Sequence, residues 1–159
     1  MPSWGDRPQA GAVFLNPALL AAVQASAARA YERESGGRLI VWPLSFIIAP
    51  LVLHRPTRQA LPSSVRTHLS SWVSEHPVLV AGLPARTSSL LPAIREGMRF
   101  GIRHRMLAVE HGAVRGLLGG AGRSDGELAE LLRAAALAGR WMTRTDNPST
   151  VFALLGMRP

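Results

Sequence analysis

The chain has 159 residues, of which 47% are hydrophobic and 18% charged, so it can bury one core and is not expected to be disordered. It has no cysteine, which excludes disulfides, thiolate zinc sites and a cysteine nucleophile. The formal net charge is +8 and all 18 basic residues are arginines, which favours an acidic partner, with nucleic acid first; a basic surface without a binding role is the alternative.

The N-terminal residues 1–13 are rich in proline, glycine and serine and predict a flexible lead-in to a single helical domain over residues 14–159. They lack the basic-then-apolar pattern of a secretory signal, because Pro2, Asp6 and Pro8 interrupt it. We therefore expect a cytoplasmic protein.

The first predicted helix begins at Asn16 and Pro17. Asn16 can cap it, and Pro17 suits the first turn, where its missing N–H group would have no partner in any case. Apolar side chains then recur at helical spacing up to Tyr31. Gly36 and Gly37 predict the end of this helix.

The segment "PLSFIIAPLVLHRPTRQALP", residues 43–62, is almost entirely apolar in its first half and then becomes basic. The first half predicts a second helix from Pro43 to about His54, with a kink or an early end at Pro50, which lacks the N–H group of other residues. The apolar run from Leu39 to Leu53 is shorter than the roughly 20 residues of a membrane-spanning helix. We therefore expect no membrane contact.

The apolar residues of this second helix go all the way round it, so the helix is either central to the core or half covered by another protein. The central core is the simpler alternative. The change to His54 and Arg55 marks the border between buried surface and solvent or a partner, and arginine is favoured at interfaces. The hypothesis of a partner interface names six residues: Phe46, Pro50, His54, Arg55, Arg58 and Pro62.

A third helix is predicted between Ser63 and Pro77, with Leu69 and Trp72 on its apolar face. A loop over residues 78–89 follows it. A longer fourth helix is predicted to begin at the end of that loop.

The fourth helix carries an arginine stripe, which consists of Arg95, Arg99 and Arg103. At about 3.6 residues per turn, the three side chains lie within about 80° of each other and can follow a phosphate backbone. The alternative is a solvated helix face. Two short apolar runs around His111-Gly112 then predict a small β-hairpin, since glycine tolerates positive φ. Helices followed by a hairpin are the order of elements in winged-helix proteins.

Two more helices are predicted after the glycine-rich segment "GLLGGAGRS", and the last of them begins at Asn147-Pro148. The expected fold is therefore mainly α: a single domain of five to six helices with one small β-hairpin, and a winged-helix-like arrangement is one form that it can take.

No constellation of reactive residues stands out. The glycine-rich segment lacks the lysine of a phosphate-binding loop, and Leu117 stands where the first glycine of that loop belongs. No two histidines have the i, i+4 spacing that puts two metal ligands on one helix face. Several glutamates lie beside arginines at helical spacing, which is typical of surface ion pairs. We expect no enzyme activity, no metal or other cofactor, and no small-molecule substrate.

Three motifs together resemble a known family: "NPALLA", "WPLSFIIAPLVLHRPTRQALPSSVRTHLSSWV" and the C-terminal "TVFALLGMRP". The family is the small middle component of three-component ABC (ABC-3C) systems, and the resemblance covers residues 16–159. Such bacterial operons pair an SMC-like ABC ATPase with an effector protein. They are thought to act against phage or plasmids and overlap Lamassu-type defence systems. The resemblance brings no catalytic residue with it.

The resemblance implies an accessory or bridging subunit that docks on the ATPase and holds the effector, near DNA. The residues themselves also favour a second hypothesis, a winged-helix regulator that binds duplex DNA through the fourth helix and the hairpin. The two overlap, because a bridging subunit can also touch DNA. An enzyme is the weakest hypothesis.

Overall fold

The computed structural model describes residues 15–118, 125–145 and 147–158. The lead-in predicted for residues 1–13 lies outside these ranges, and so does most of the glycine-rich segment. Within them the chain forms seven helices and three short strands. The mainly α fold with a small sheet is confirmed, and the described helices are more numerous than the five to six expected.

Helix α1 spans Pro17–Glu34 and begins where the sequence predicts. The Asn16 side chain accepts a hydrogen bond of 2.8 Å from the Ala18 N–H group, and Pro17 occupies the first helical position. The helix ends before Gly36, which adopts a φ of 72°. Both ends follow from local chemistry, because the cap and the glycine act within a few residues of themselves.

Strand β1, Ile40–Val41, leads directly into helix α2, Trp42–Leu53. The helix does not end early at Pro50, which lies inside it. Leu51 and Val52 are completely buried, so core packing keeps the last turn helical although proline removes one backbone hydrogen bond.

Three helices follow: α3, Arg55–Gln59; α4, Leu69–Glu75; and α5, Pro77–Arg103. Helix α5 has 27 residues and includes the segment 78–89, so the prediction of a loop there is wrong. Pro84 lies in this segment and Leu83 before it is buried. Two side chains donate to carbonyl groups near this proline. The Arg86 Nη2 group donates to the Leu79 carbonyl oxygen at 2.9 Å, and the Thr87 hydroxyl donates to the Leu83 carbonyl oxygen at 2.9 Å.

The predicted hairpin is present as β2, Leu107–Glu110, and β3, Ala113–Gly116. His111 and Gly112 between them have φ of 50° and 77°, and positive φ at both positions is typical of a two-residue type I′ turn. Strand β1 adds antiparallel to β3, so the sheet order is β1-β3-β2. The sequence does not predict β1, because it is two residues long and its partner is distant in the chain.

Helices α6, Glu127–Met142, and α7, Pro148–Leu154, complete the described elements. Asn147 caps α7 as predicted, since its side chain accepts a hydrogen bond of 2.9 Å from the Ser149 N–H group. Helix α7 packs against α4, which brings the C-terminal segment back to the middle of the chain.

Helix α1 lies at the centre of the described structure, with α5, α6 and β3 packed against it. Three glycines permit this approach. A side-chain methyl at Gly139 of α6 would overlap the Ala27 carbonyl oxygen, and one at Gly116 of β3 would overlap another carbonyl oxygen of α1. A methyl at Gly97 of α5 would lie 2.6 Å from the Leu20 Cβ atom. Backbone therefore packs on backbone at Gly139 and Gly116, and a side chain at any of the three glycines would force the elements apart.

Two buried tryptophans fix the irregular chain between α3 and α4. The Trp72 indole N–H donates to the Ala60 carbonyl oxygen at 2.7 Å, and the Trp141 indole N–H donates to that of Thr67 at 2.8 Å. The two rings are 5.4 Å apart in an edge-to-face arrangement. Each ring thus contributes apolar area to the core and also satisfies a carbonyl group of the link.

We expect Gly139→Ala to lower the free energy of unfolding by at least about 2 kcal/mol, because overpacking a core costs about 1–3 kcal/mol and a backbone oxygen cannot rotate away. The matched control is Gly82→Ala, whose methyl would meet only the flexible end of the Arg86 side chain. That change should stay within about 1 kcal/mol. Urea unfolding followed by circular dichroism measures both, and equal losses would contradict the role assigned to Gly139.

Candidate functional site: an apolar groove with an arginine rim

An open groove of about 750 Å³ lies between three parts of the chain: the start of α2, one face of α5, and the segment that contains α7 and the residues after it. Most of its lining is apolar, and three arginines stand around it: Arg95, Arg99 and Arg158. We refer to it as the arginine-rimmed groove.

Helix α5 forms the long side of the groove. Its lining residues run from Pro84 to Ile102 and include Leu91 and Met98. They fall within about 120° of the helix circumference and extend over about 27 Å, at 100° and 1.5 Å per residue. The opposite face of α5 holds Gly97 against α1, so one helix both builds the core and presents the groove.

The first turn of α2 forms the facing wall through Trp42, Pro43 and Phe46. Trp42 and Phe46 lie four residues apart and therefore on one face of the helix. Their rings are 5.3 Å apart in an edge-to-face arrangement, and both side chains are only half buried. The remainder of α2 is inside the core, so these aromatics are the part of the apolar segment that reaches the surface.

The C-terminal segment closes one end of the groove with Phe152, Gly156, Met157 and Arg158. Helix α7 ends at Leu154, and Gly156, two residues later, has a φ of 70°. The Met157 N–H group then donates to the Phe152 carbonyl oxygen at 2.8 Å, which holds Met157 and Arg158 against the groove. A glycine at this position allows the chain to reverse at the helix end.

The three rim arginines differ from Arg58, Arg115 and Arg144, which pair with carboxylates. Arg95, Arg99 and Arg158 are exposed, and within the described ranges no hydrogen bond or ion pair of theirs is found. No aspartate or glutamate lines the groove among the described residues. The groove therefore combines a mostly apolar lining with three arginines that have no carboxylate partner among the described residues.

The predicted partner interface divides into exposed and buried residues. Phe46 lines the groove and Arg55 is exposed, whereas Pro50, Arg58 and Pro62 are buried by the chain itself. Those three side chains are covered by the fold itself, and the interface stays a prediction. Most of the apolar segment is covered by its own fold, as the alternative of a central core helix predicted.

Arg58 has a structural role. Its side chain is 4% exposed, its Nη1 group donates to the Val52 carbonyl oxygen at 2.7 Å, and its Nε group donates to Glu130 at 3.0 Å. Glu127 lies 3.9 Å from its Nη2 group. The guanidinium thus ties the end of α2 to α6. A partner would have to break these bonds to reach it.

His54 belongs to a small polar cluster beside α3. The His54 Nδ1 atom lies 2.7 Å from the Thr57 hydroxyl, which in turn accepts a hydrogen bond of 3.3 Å from Arg86 Nη2. When Nδ1 carries no proton, it can accept a hydrogen bond from the Thr57 hydroxyl. Burial, and secondly the Arg86 charge, lower the pKa of His54 below its usual value.

The arginine stripe is exposed along its whole length, because Arg95, Arg99 and Arg103 all point to solvent. The first two stand at the groove, and Arg103 lies outside it. The hairpin follows directly, since the Met106 N–H group bonds to the Gly101 carbonyl oxygen at 2.8 Å. The structure thus joins part of the stripe to Phe46, which sequence reasoning had assigned to a different surface.

Several groove residues escaped the sequence analysis. Trp42 lies just before Pro43, where the helix is predicted to begin. Ile102 is at helical spacing from Leu91, Ile94 and Met98, which favours a buried position, yet it is 44% exposed. Met157 and Arg158 lie in the C-terminal motif, whose only signal was the family resemblance. No local pattern reveals that they meet α5.

The described part of the chain contains no group of three or more His, Cys, Asp or Glu side chains that could hold a metal ion. None of its helices combines the length and the hydropathy needed to cross a membrane.

The His54 cluster makes stability depend on pH. The pKa of His54 is lower in the folded chain than its ordinary value of 6.5, so the unfolded chain binds the proton first as the pH falls. The contribution of the neutral imidazole to stability is therefore complete above pH 6.5 and is lost as the pH falls through the lower folded pKa.

We expect the unfolding temperature of the wild type to fall relative to that of His54→Gln as the pH is lowered from 7.5 to 5. Thermal unfolding at several pH values measures it. His68→Gln is the control, because His68 is exposed and lies outside the cluster. A constant difference for His54→Gln would show that the cluster does not sense protonation.

Comparison with known proteins identifies the family of this chain. Residues 4–159 match the family model described as ABC-three component (ABC-3C) system Middle Component 3. No curated protein and no solved structure gives a significant match. Since the family model covers almost the whole chain, the protein belongs to the ABC-3C Middle Component 3 family, as the three motifs indicated.

Proposed function

We propose that this Middle Component 3 protein is a non-enzymatic bridging subunit of its ABC-3C system, which links an SMC-like ABC ATPase to the effector protein of the same operon in defence against phage or plasmids. The observation that carries the proposal is the arginine-rimmed groove. It is an apolar surface that the chain leaves uncovered, in a family defined by membership of a multi-component system.

The character of the groove supports protein contact. Half-buried aromatics such as Trp42 and Phe46, together with arginines, are enriched at the centres of protein interfaces. Ile102 is 44% exposed inside it. An apolar partner surface would remove these side chains from water, and such burial contributes roughly 25 cal/mol per Å².

The placement of the carboxylates supports the non-enzymatic part of the proposal. Five glutamates form ion pairs with arginines on the surface or at helix junctions: Glu32, Glu34, Glu110, Glu127 and Glu130. Each therefore has a structural partner, and no two of them face each other across the groove.

We expect the protein to co-elute in size-exclusion chromatography with the ATPase or the effector encoded beside it, at micromolar concentration and in moderate salt. Phe46→Ser should weaken the complex because it removes apolar contact area, whereas Val78→Ser, which changes a residue that is 82% exposed outside the groove, should not. Circular dichroism checks that both variants fold. Failure of the wild type to co-elute with either protein would refute the bridging role.

Duplex DNA binding is a second candidate, favoured by the exposed arginine stripe next to the hairpin. Arg103, His104 and Arg105 are exposed at the end of α5, and the hairpin is fixed there by the bond between Met106 and Gly101. A helix with cations every turn can follow a phosphate backbone, and the adjoining hairpin resembles a wing.

If the stripe binds duplex DNA, binding should weaken steeply with salt, because each neutralised phosphate releases counterions. Replacing Arg95, Arg99 and Arg103 with alanine should reduce the slope of log Kd against log salt by about 3. The control replaces Arg66, Arg133 and Arg140, which are exposed on other elements. Fluorescence anisotropy with a labelled duplex measures the slopes, and equal slopes for the two triple variants would exclude the stripe as the contact.

A further inference from the structure

We propose that the arginine-rimmed groove binds an acidic amphipathic helix of a partner protein in the same system. This deepens the proposed function and rests on it. It names the chemistry of the occupant: apolar side chains at helical spacing on one face and carboxylates along the edges.

The shape of the groove favours a helix. Its floor follows α5 from Pro84 to Ile102, about 27 Å. A partner helix of about five turns spans the same distance, and its apolar residues at i, i+4 or i+7, and i+11, which share one helix face, can reach Leu91, Met98 and Ile102. A small ligand would cover only part of so long a surface.

The charges of the groove favour an acidic occupant. Arg95 and Arg99 stand on α5 and Arg158 stands on the C-terminal segment, so cations line the groove from two different parts of the chain. Among the described residues, none of the three is neutralised by a carboxylate. Carboxylates at the edges of a bound helix would pair with them, and such complementarity also speeds association.

The same charges disfavour a second copy of the chain. A symmetric dimer uses the same patch on both subunits, so it would bring six arginines together over two apolar floors. The net charge of +8 adds to that repulsion. Duplex DNA offers charge complementarity at the edge but no apolar surface to cover Trp42, Phe46 and Ile102.

A photocrosslinking experiment tests the occupant directly. A photoreactive amino acid replaces Ile102 in the groove or, as the control, Leu128 on α6; their exposed fractions are 44% and 45%. The full complex with the ATPase and the effector is irradiated in the presence of duplex DNA, and the crosslinked peptides are identified by mass spectrometry. We expect position 102, and not position 128, to capture one partner segment with net negative charge and helical apolar spacing.

Affinity measurements test the two halves of the proposal separately. Arg95→Glu, Arg99→Glu and Arg158→Glu together should weaken partner binding at least about tenfold, because three favourable pairs become repulsive. The control makes the same change at Arg66, Arg133 and Arg140. Each Arg-to-Glu substitution lowers the net charge by two units, so both triple variants change it from +8 to +2. Ile102→Ser should also weaken binding, and it leaves the charge unchanged.

The outcomes test the acidic helix and the bridging role separately. If the complex forms but position 102 captures DNA, a second copy or a segment that is not acidic, the acidic helix is refuted and the bridging role stands. The same holds if position 102 captures nothing from an intact complex, or if the two charge-reversal variants weaken binding equally. If no complex forms, both proposals fail.

Discussion

The close packing of α1 against its neighbours is the constraint on which the rest of the structure depends. Its middle is rich in alanine, and Gly97, Gly116 and Gly139 face it from three different elements. At two of these contacts backbone meets backbone, so the spacing of the elements is set by the absence of side chains. The remaining helices and the sheet take their positions from that packing.

This packing also places the groove. Helix α5 turns Gly97 towards α1, and its groove face, with Leu91, Arg95 and Ile102, therefore points away from the core. The first turn of α2 stands opposite because the rest of α2 is buried beside α5 and α6. Helix α7 packs on α4 and brings Arg158 to the third side. The groove is thus a consequence of the core and needs no separate scaffold.

The structure gives the arginines different roles. Arg58, Arg115 and Arg144 pair with glutamates and hold elements together, whereas the rim arginines have solvent-facing guanidinium groups. A net charge of +8 says only that an acidic partner is favoured. The position of the unpaired arginines bears on the kind of partner, and three of them, Arg95, Arg99 and Arg158, stand beside an apolar surface. That combination suits a protein segment better than nucleic acid.

The sequence by itself determined the mainly α class, both ends of α1, the start of α7 and the hairpin turn, because caps, prolines and glycines act within one turn of the backbone. It also determined the family, through three ordered motifs. Only the tertiary structure decided that residues 78–89 are helical, since Leu83 is packed in the core although Pro84 removes one backbone hydrogen bond. It also decided that Arg58 is internal while Phe46, Arg95 and Arg158 meet. The physical reason is that burial and charge pairing depend on contacts between residues far apart in the chain, which no local pattern records.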